Sequence, residues 1–544
     1  MRIFSLLFGL LFIYSCGSVK NISETYQLPY FTWNNATVYF LLTDRFYNGD
    51  KSNDFKHPSP PAAYRGFMGG DIKGITAKIN EGYFEKIGVD AIWMTPLVEN
   101  ISDGVDEGTG LSYGFHGYWT KDWTKPDPRF GTEKDIKEMV AAAHRRGIRI
   151  LMDVVINHTG PVTASDPLWP EGWVRTNPKC TYKNYETTTA CTLVDNLPDV
   201  RTESTQDVTL PPHLVDKWKQ EGRYEKEVAE LDAFFKKTGY PRRPYYYIIK
   251  WLTDLIRDFG INGFRVDTVK HTEEEVWLAL RTEADKAFKE WKKSHPTEVL
   301  DDQPFFMVGE VYNYYIGSGR WFDFGDKKVD YFAHGFDALI NFDFKYDATK
   351  SYSDMFAKYD TLLQTSLSGK NVMNYISSHD DGGPYDKMRT KTFESANRLL
   401  LSQGISQIYY GDESARSLSV NAKGDAVLRS FMNWDEQKLA NKKDIVLHWQ
   451  KLGQYRRNHP SIGAGKHIDL GNNLFARTYV DKKYQDVVVF SLQQPKGIKV
   501  IDVSGYFADG QQLRDAYSDI KGMVKKGKII INSENNIVLL EKVN

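Results

Sequence analysis

Four short runs bring acids and imidazoles to the ends of apolar stretches: DVVINH at 153–158, GFRVDTVKH at 263–271, VGEVY at 308–312 and YISSHD at 375–380. Three acids stand out, Asp267, Glu310 and Asp380. Cleaving a glycosidic bond takes one carboxylate as nucleophile and one carboxylic acid as proton donor. Asp267 follows the apolar GFRV run, two residues after Arg265. Alternation along a strand turns both side chains the same way, so the guanidinium can hold Asp267 ionised, as a nucleophile requires. Glu310 follows PFFMVG, an apolar run ending in a glycine that lets a sugar come close. A partly dry setting raises a carboxyl pKa and suits a general acid. Asp380 follows His379 at the end of NYISSH.

One acid at a strand end facing water is common. Several at the C-terminal ends of successive apolar strands, with helices between, are how a (β/α)8 barrel assembles a site. The pattern predicts strands at 36–42, 89–94, 148–155, 261–266, 305–308, 338–342, 372–376 and 407–410. Between them it predicts helices at 72–87, 132–146, 246–259 and 273–293, and a last long helix ending near 458. Residues 159–243 interrupt the alternation with Thr, Pro, Asn and Asp, and short alternating runs follow from about 461. The expected fold is α/β: a TIM barrel with an inserted domain after strand three and a C-terminal antiparallel β-sandwich. The expected boundaries are 1–15 for an export signal, 16–32 for a linker, 33–158 and 244–459 for the barrel, 159–243 for the insertion and 460–544 for the C-terminal unit.

With 544 residues the chain has room for two or three domains. Its 71 acidic and 70 basic residues nearly cancel and form no basic stripe, so nothing favours a nucleic-acid partner. Arg2 precedes an apolar run at 3–14, then Ser15, Cys16 and Gly17. That is the layout of an export signal, too short to span a bilayer as a helix. The cysteine after a small residue resembles a bacterial lipoprotein signal. Cys16 would then be the lipidated first residue, and that lipid the only link to a membrane, an outer membrane with its face undetermined. The alternative is an ordinary signal peptide with an incidental cysteine. Removing Cys16 leaves Cys180 and Cys191, an even pair that in an exported chain reads as a disulfide closing a small loop, worth about 2–4 kcal/mol. In a reducing compartment the two would be free thiols.

In order and spacing, the four motif-bearing segments resemble the conserved regions of the alpha-amylase family of glycoside hydrolases (family 13). The resemblance runs over essentially the whole mature chain and is nearest to calcium-dependent bacterial alpha-amylases and cyclodextrin glucanotransferases. It implies Asp267 as nucleophile, Glu310 as acid/base, and Asp380 as the third acid, gripping sugar hydroxyls. It implies that His158 and His379 bond the sugar before the cut, that Arg265 stands beside the nucleophile, and that Asp153 supports the site. The family usually has Asn before its His-Asp pair, where this chain has Ser378. The ring that stacks on the sugar falls within SYGFHGYW, where Tyr113 and Phe115 both qualify and Tyr113 is preferred. His116 resembles a structural histidine.

Calcium takes six to eight oxygens. By resemblance Asn157, Asp199 and the backbone carbonyl of His271 form one calcium site, clamping the insertion to the barrel. NGDKSND and the following GGD resemble a second, N-terminal calcium loop, with Asn48, Asp50, Asn53, Asp54 and Asp71 as side-chain ligands and a carbonyl from Gly69; a plain turn would look similar. Lys270 and His271 resemble the pair that contacts glucose on the leaving-group side in true alpha-amylases and glucanotransferases. The implied activity is retaining endo-hydrolysis of α-1,4-glucans. The alternative is a neopullulanase, cyclomaltodextrinase or glucan-transferring enzyme. Against these, the chain shows one C-terminal β domain and little sequence before the barrel. A starch-binding protein that has lost catalysis would be expected to lack one of the three acids, and all are present. The glycines form no GxGxxG turn and no GKS or GKT loop, which disfavours nicotinamide or phosphate chemistry.

Overall fold

The computed structural model describes residues 29–543. The export-signal reading, Arg2 to Gly17 with Cys16, lies outside those residues. Eight parallel strands close into a barrel: β1 (Thr37–Leu41), β2 (Ala91–Met94), β3 (Arg149–Val154), β4 (Gly263–Val266), β5 (Phe306–Gly309), β6 (Ala338–Asn341), β7 (Asn371–Tyr375) and β8 (Ile405–Tyr409). The ring is completed by β1 against β8, with Thr37 opposite Ser406 and Phe40 opposite Tyr409. Every residue of these strands is buried. Helices cover the outside and side chains fill the inside, so the strands read as unbroken apolar runs.

The helix starting at Thr132 has the capping box that a threonine there allows. Its hydroxyl accepts from the Asp135 amide at 3.3 Å, and Asp135 accepts from the Thr132 amide at 2.8 Å. The helix expected over 72–87 is two pieces, Ile72–Asn80 and Tyr83–Ile87. They are separated at Gly82, whose φ of 72° is left-handed and ends a right-handed helix without steric cost.

The segment after β3 is not irregular throughout. Its second half forms helices Pro212–Gln220 and Tyr224–Thr238. They set Trp218 against Trp251 and Phe235 against Tyr247, both on the barrel helix Pro244–Phe259. In its first half Cys180 and Cys191 are joined by a disulfide. Beyond the last barrel helix, Ala440–Asn458, six antiparallel strands form one sheet, and Gly497–Asp502 pairs with Lys528–Ser533 as a separate ribbon. Ile501, Val503, Leu513, Ile529, Ile531 and Leu540 share a core between sheet and ribbon. Among the described residues no helix is long and apolar enough to cross a membrane.

Candidate active site

Strand register explains why one arginine meets three acids. On β4, Arg265 lies opposite Asp153 of β3 on one side and Val308 of β5 on the other, two residues before Glu310. Its Nη1 donates to Asp153 at 3.0 and 3.1 Å and to Asp267 Oδ1 at 2.7 Å. Its Nη2 lies 3.1 Å from Glu310 Oε2. Thr268, immediately after Asp267, adopts a left-handed φ of 48°, uncommon for a β-branched residue. Its amide donates to Glu310 Oε2 at 3.0 Å. Below this group Trp93 Nε1 and the Tyr118 hydroxyl both donate to Asp153 Oδ2, at 3.0 and 2.7 Å. Phe40 stacks on Trp93 with ring centres 3.7 Å apart. The acids therefore stand on an aromatic floor that gives them little freedom to turn.

The surroundings set the protonation states. Burial pushes Glu310 up to about 8, helped by the negative charges of Asp267 and Asp380 and opposed by Arg265. Glu310 is thus a carboxylic acid at neutral pH. Burial also lifts Asp153 to about 7 against the pull of Arg265. For Asp380, burial works against ionisation, but the His379 imidazole at 2.8 Å and the Arg429 guanidinium more than offset it and hold the carboxyl far below its usual range. Asp380 stands at the open mouth of the group with 43% of its side chain exposed, so the burial that opposes its ionisation is only partial. Burial lowers the pKa of both His158 and His379. Neutral imidazoles can donate from one nitrogen and accept at the other.

The three acids, Arg265, His158 and His379 are thus brought to one end of the barrel. Lys270 and His271 follow on the turn after β4, where burial lowers the Lys270 pKa and the Glu310 carboxyl opposes that shift. Tyr113 is not there. Its hydroxyl bonds the Ser59 backbone, and its ring packs on Phe55 and His57. Phe115 is also buried, under the Arg45 guanidinium. Of the rings in that run it is Tyr118 that reaches the site, bonded to Asp153 and stacked on His379 at 5.5 Å. Its signal lay in the same HGYW run, two residues past His116, whose Nδ1 accepts from the Tyr118 amide. Arg429 was missed as well. It reaches the His379 carbonyl and the Asp380 carboxylate from a loop after β8, with no motif around it.

The oxygen donors named for calcium differ in how far they fit the ion. Asn157 and Asp199 are drawn together by the Val200 amide donating to the Asn157 carbonyl at 2.7 Å, and His158 bridges Asp199. Both oxygens of the buried Asp199 carboxylate lack a hydrogen bond, with the Arg175 Nε 3.0 Å away. A buried carboxylate beside an amide, with Arg175 as its charged neighbour, keeps oxygen lone pairs that a hard cation can take. The His271 Nδ1 is engaged with the Thr188 carbonyl at 3.0 Å, and the calcium reading uses the backbone oxygen of this residue, not its ring. In the N-terminal cluster, the amide oxygens of Asn48 and Asn53 are buried without partners. A Cβ on Gly69 would fall 2.5 Å from Asn48 Nδ2 and 2.6 Å from Asp54 Oδ1, so the approach there requires glycine. Asp50 and Asp71 already have protein partners: Lys73 and the Ser52 amide for the first, and the amides of Gly49, Asp50 and Gly74 for the second. Among the described residues no group of three or more His, Cys, Asp or Glu side chains is arranged to hold a metal ion by itself.

Comparison with known proteins agrees with this fold. The alpha amylase catalytic domain matches residues 40–454. The periplasmic alpha-amylase of Escherichia coli (strain K12) is 37% identical over 515 residues, covering 82% of this chain and 70% of that protein. A cyclomaltodextrin glucanotransferase of Geobacillus stearothermophilus is 26% identical over 498 residues, covering 85% of this chain and 60% of that protein. The crystal structure of an Anoxybacillus alpha-amylase shares the fold with a TM-score of 0.67 at 23% identity, covering 95% of this chain and 100% of that one.

Proposed function

This chain belongs to the alpha-amylase family of glycoside hydrolases, and from that premise we propose that it is a retaining enzyme that cuts internal α-1,4 bonds in starch and maltooligosaccharides. The observation that supports the reading is a single guanidinium, Arg265, holding Asp267 and Glu310 together while burial keeps Glu310 protonated up to about pH 8. In the proposed mechanism Asp267 attacks the anomeric carbon as Glu310 gives its proton to the departing glycosidic oxygen. The glycosyl–Asp267 ester is then opened by water, whose proton returns to Glu310. Asp380, His158 and His379 grip the sugar hydroxyls, and the Tyr118 ring packs against the sugar face. Lys270 and His271 meet the glucose that leaves. A second reading, transfer of the glycosyl group to a sugar hydroxyl, passes through the same ester and draws support from the glucanotransferase relative.

The same proposal takes the chain as a barrel (33–158 and 244–459) carrying an inserted unit (159–243) and a C-terminal unit (460–544). Calcium is proposed at Asn157, Asp199 and the His271 carbonyl, and at the N-terminal cluster of Asn48, Asp50, Asn53, Asp54, Gly69 and Asp71. Bound there, the ion would tie loops together and take no part in bond cleavage. Export is proposed from the apolar N-terminus and the periplasmic relative, with Cys16 as a lipid anchor. Product analysis over time on amylose, pullulan and β-cyclodextrin tests the substrate reading. It expects a spread of maltooligosaccharides from amylose, and a clear preference for pullulan or cyclodextrin would overturn it.

A further inference from the structure

Strand β8 reads ISQIY and carries an amide into the interior of the barrel. Gln407 is 1% exposed and lies opposite Val38 of β1 and Tyr375 of β7. Its neighbour Ser406 gives its hydroxyl to the Leu399 carbonyl at 2.8 Å. The Gln407 side-chain oxygen has no hydrogen-bond partner among the described residues. Leucine or methionine would fill the same volume, and a buried amide left unbonded is costly. The residue therefore calls for a polar partner.

A cavity of about 20 Å³ lies at the foot of the catalytic group, with Gln407, Arg265, Glu310, Tyr375 and Ser378 in its wall. About 10–15 Å³ is enough for one water, provided that two or more polar groups meet it. Two of these residues bring a buried atom without a protein partner, Gln407 Oε1 and Arg265 Nε. The other guanidinium nitrogens are taken, Nη1 by Asp153 and Asp267 and Nη2 by Glu310. Tyr375 already gives its hydroxyl to Asp381 at 2.7 Å. Of the two free atoms one accepts and the other donates, so a single water can join them. It would donate to Gln407 and accept from Arg265.

We propose that Gln407 is a positioning residue: through one water at the foot of the site it holds the remaining N–H of Arg265, and so fixes where Asp267 and Glu310 stand. The inference rests on the retaining-hydrolase reading above. It adds to the site a residue of the last barrel strand, which carries none of the three acids. Its part is to hold Arg265, not to cut the bond.

Gln407→Leu and Gln407→Met keep the volume and lose the acceptor. Each should lower kcat on amylose about tenfold, the scale of one lost hydrogen bond to a charged group, with KM within about twofold of the parent. Arg265 opposes the raised pKa of Glu310. A loosened arginine opposes it less, so the alkaline limb of kcat should move up by about half a pH unit. The other charged groups that face Glu310 (Asp267, Lys270 and Asp380) are unchanged by the substitution. Gln407→Glu keeps a side-chain oxygen in place and should restore kcat at pH 6 to within about threefold of the parent. A crystal structure of the parent should show one water within hydrogen-bond distance of both the Gln407 amide and Arg265 Nε. A lowered melting temperature with kcat and the alkaline limb unmoved would mean that Gln407 only fills space. That result would overturn the proposal, as would a dry cavity or a glutamate variant as slow as the leucine one. A parent inactive on amylose would instead sink the substrate reading, and the crystallographic water would still decide the role of Gln407.

Discussion

Arg265 and Asp267 share one short bond, 2.7 Å from Nη1 to Oδ1, and the same nitrogen also holds Asp153. The arginine is thus a common counter-charge, with Glu310 on its other nitrogen. A lysine at 265 has the charge but no planar fork, and cannot meet three acids at once. Arg265→Lys should lower kcat by about a hundredfold or more, the scale of removing a preorganised charge partner. Asp267→Asn should abolish turnover while maltoheptaose still binds. Reducing-sugar release and calorimetric titration measure the two. Near-parental hydrolysis by Asp267→Asn would rule out the nucleophile role.

The second prediction concerns Glu310 and pH. Its folded pKa of about 8 lies above the ordinary 4.5, mainly through burial. The proton donor is present below about 8 and lost as pH rises through it, so kcat should fall on that alkaline limb. Linkage gives the matching sign for stability. An acid whose folded pKa is raised favours the fold fully below its unfolded value, and that contribution disappears as pH rises through the folded value. Glu310→Gln should therefore be inactive and lose less stability than the parent between pH 5 and pH 9. Melting curves at both pH values decide this, and a parallel loss in both proteins would contradict the raised pKa.

Exchanging Tyr113 for Tyr118 can be tested with two alanine variants. Tyr118→Ala should cost about tenfold to a hundredfold in kcat/KM, through a lost ring contact and a lost hydrogen bond to Asp153. Tyr113→Ala should leave kcat within about twofold but destabilise the fold by about 3–5 kcal/mol, as truncating a buried ring does. Activity on 4-nitrophenyl α-maltotrioside and melting temperature separate the two effects. The reverse pattern would restore Tyr113 to the site.

These residues also show what a sequence discloses. The barrel strands could be read because each is an apolar run closed at one end by a charge, and burial on both faces leaves no other pattern. Asp267, Glu310 and Asp380 were visible because each stands at such an end. Tyr118 was not separable from Tyr113 and Phe115 within eight residues. Which ring faces the acids depends on the turn at Gly117, whose φ is 88° and whose Cβ position would strike the Pro96 carbonyl oxygen. Arg429 reaches Asp380 from a loop far along the chain, and no spacing announces such a contact. The two helices of the insertion were hidden by the Thr- and Pro-rich stretch before them, though Leu214, Trp218, Leu231, Phe234 and Phe235 mark their inner faces.

Chelation should separate stability from chemistry. A cation that binds the folded chain alone adds stability by mass action, and no proposed ligand is one of the three acids. Excess chelator should lower the melting temperature while hydrolysis at low temperature stays near its starting value. An unchanged midpoint, with metal loss confirmed by elemental analysis, would remove both calcium sites.

The last prediction concerns the seam between the barrel and the C-terminal sheet. His459 follows the helix Ala440–Asn458 and bridges two acids of that sheet, Asp486 at 2.9 Å and Glu541 at 2.8 Å. Tyr455 packs against its ring, and Arg514 shares Glu541. Burial alone would lower its pKa, but hydrogen bonds and charge from the two acids raise it from 6.5 to about 9. The same contacts pull both carboxyls below their usual range. A histidine with a raised folded pKa stabilises fully below 6.5 and loses that contribution as pH rises through about 9, a difference of about 3 kcal/mol at most. The carboxyl contributions run the other way, present above about 4 and lost in acid. The parent should therefore lose stability between pH 6.5 and pH 9.5 by an amount that His459→Gln does not, while the glutamine variant keeps kcat because the seam is remote from the acids. Urea unfolding at the two pH values provides the comparison. An equal drop in both proteins would mean that the imidazolium bridge adds nothing to the docking of the two domains.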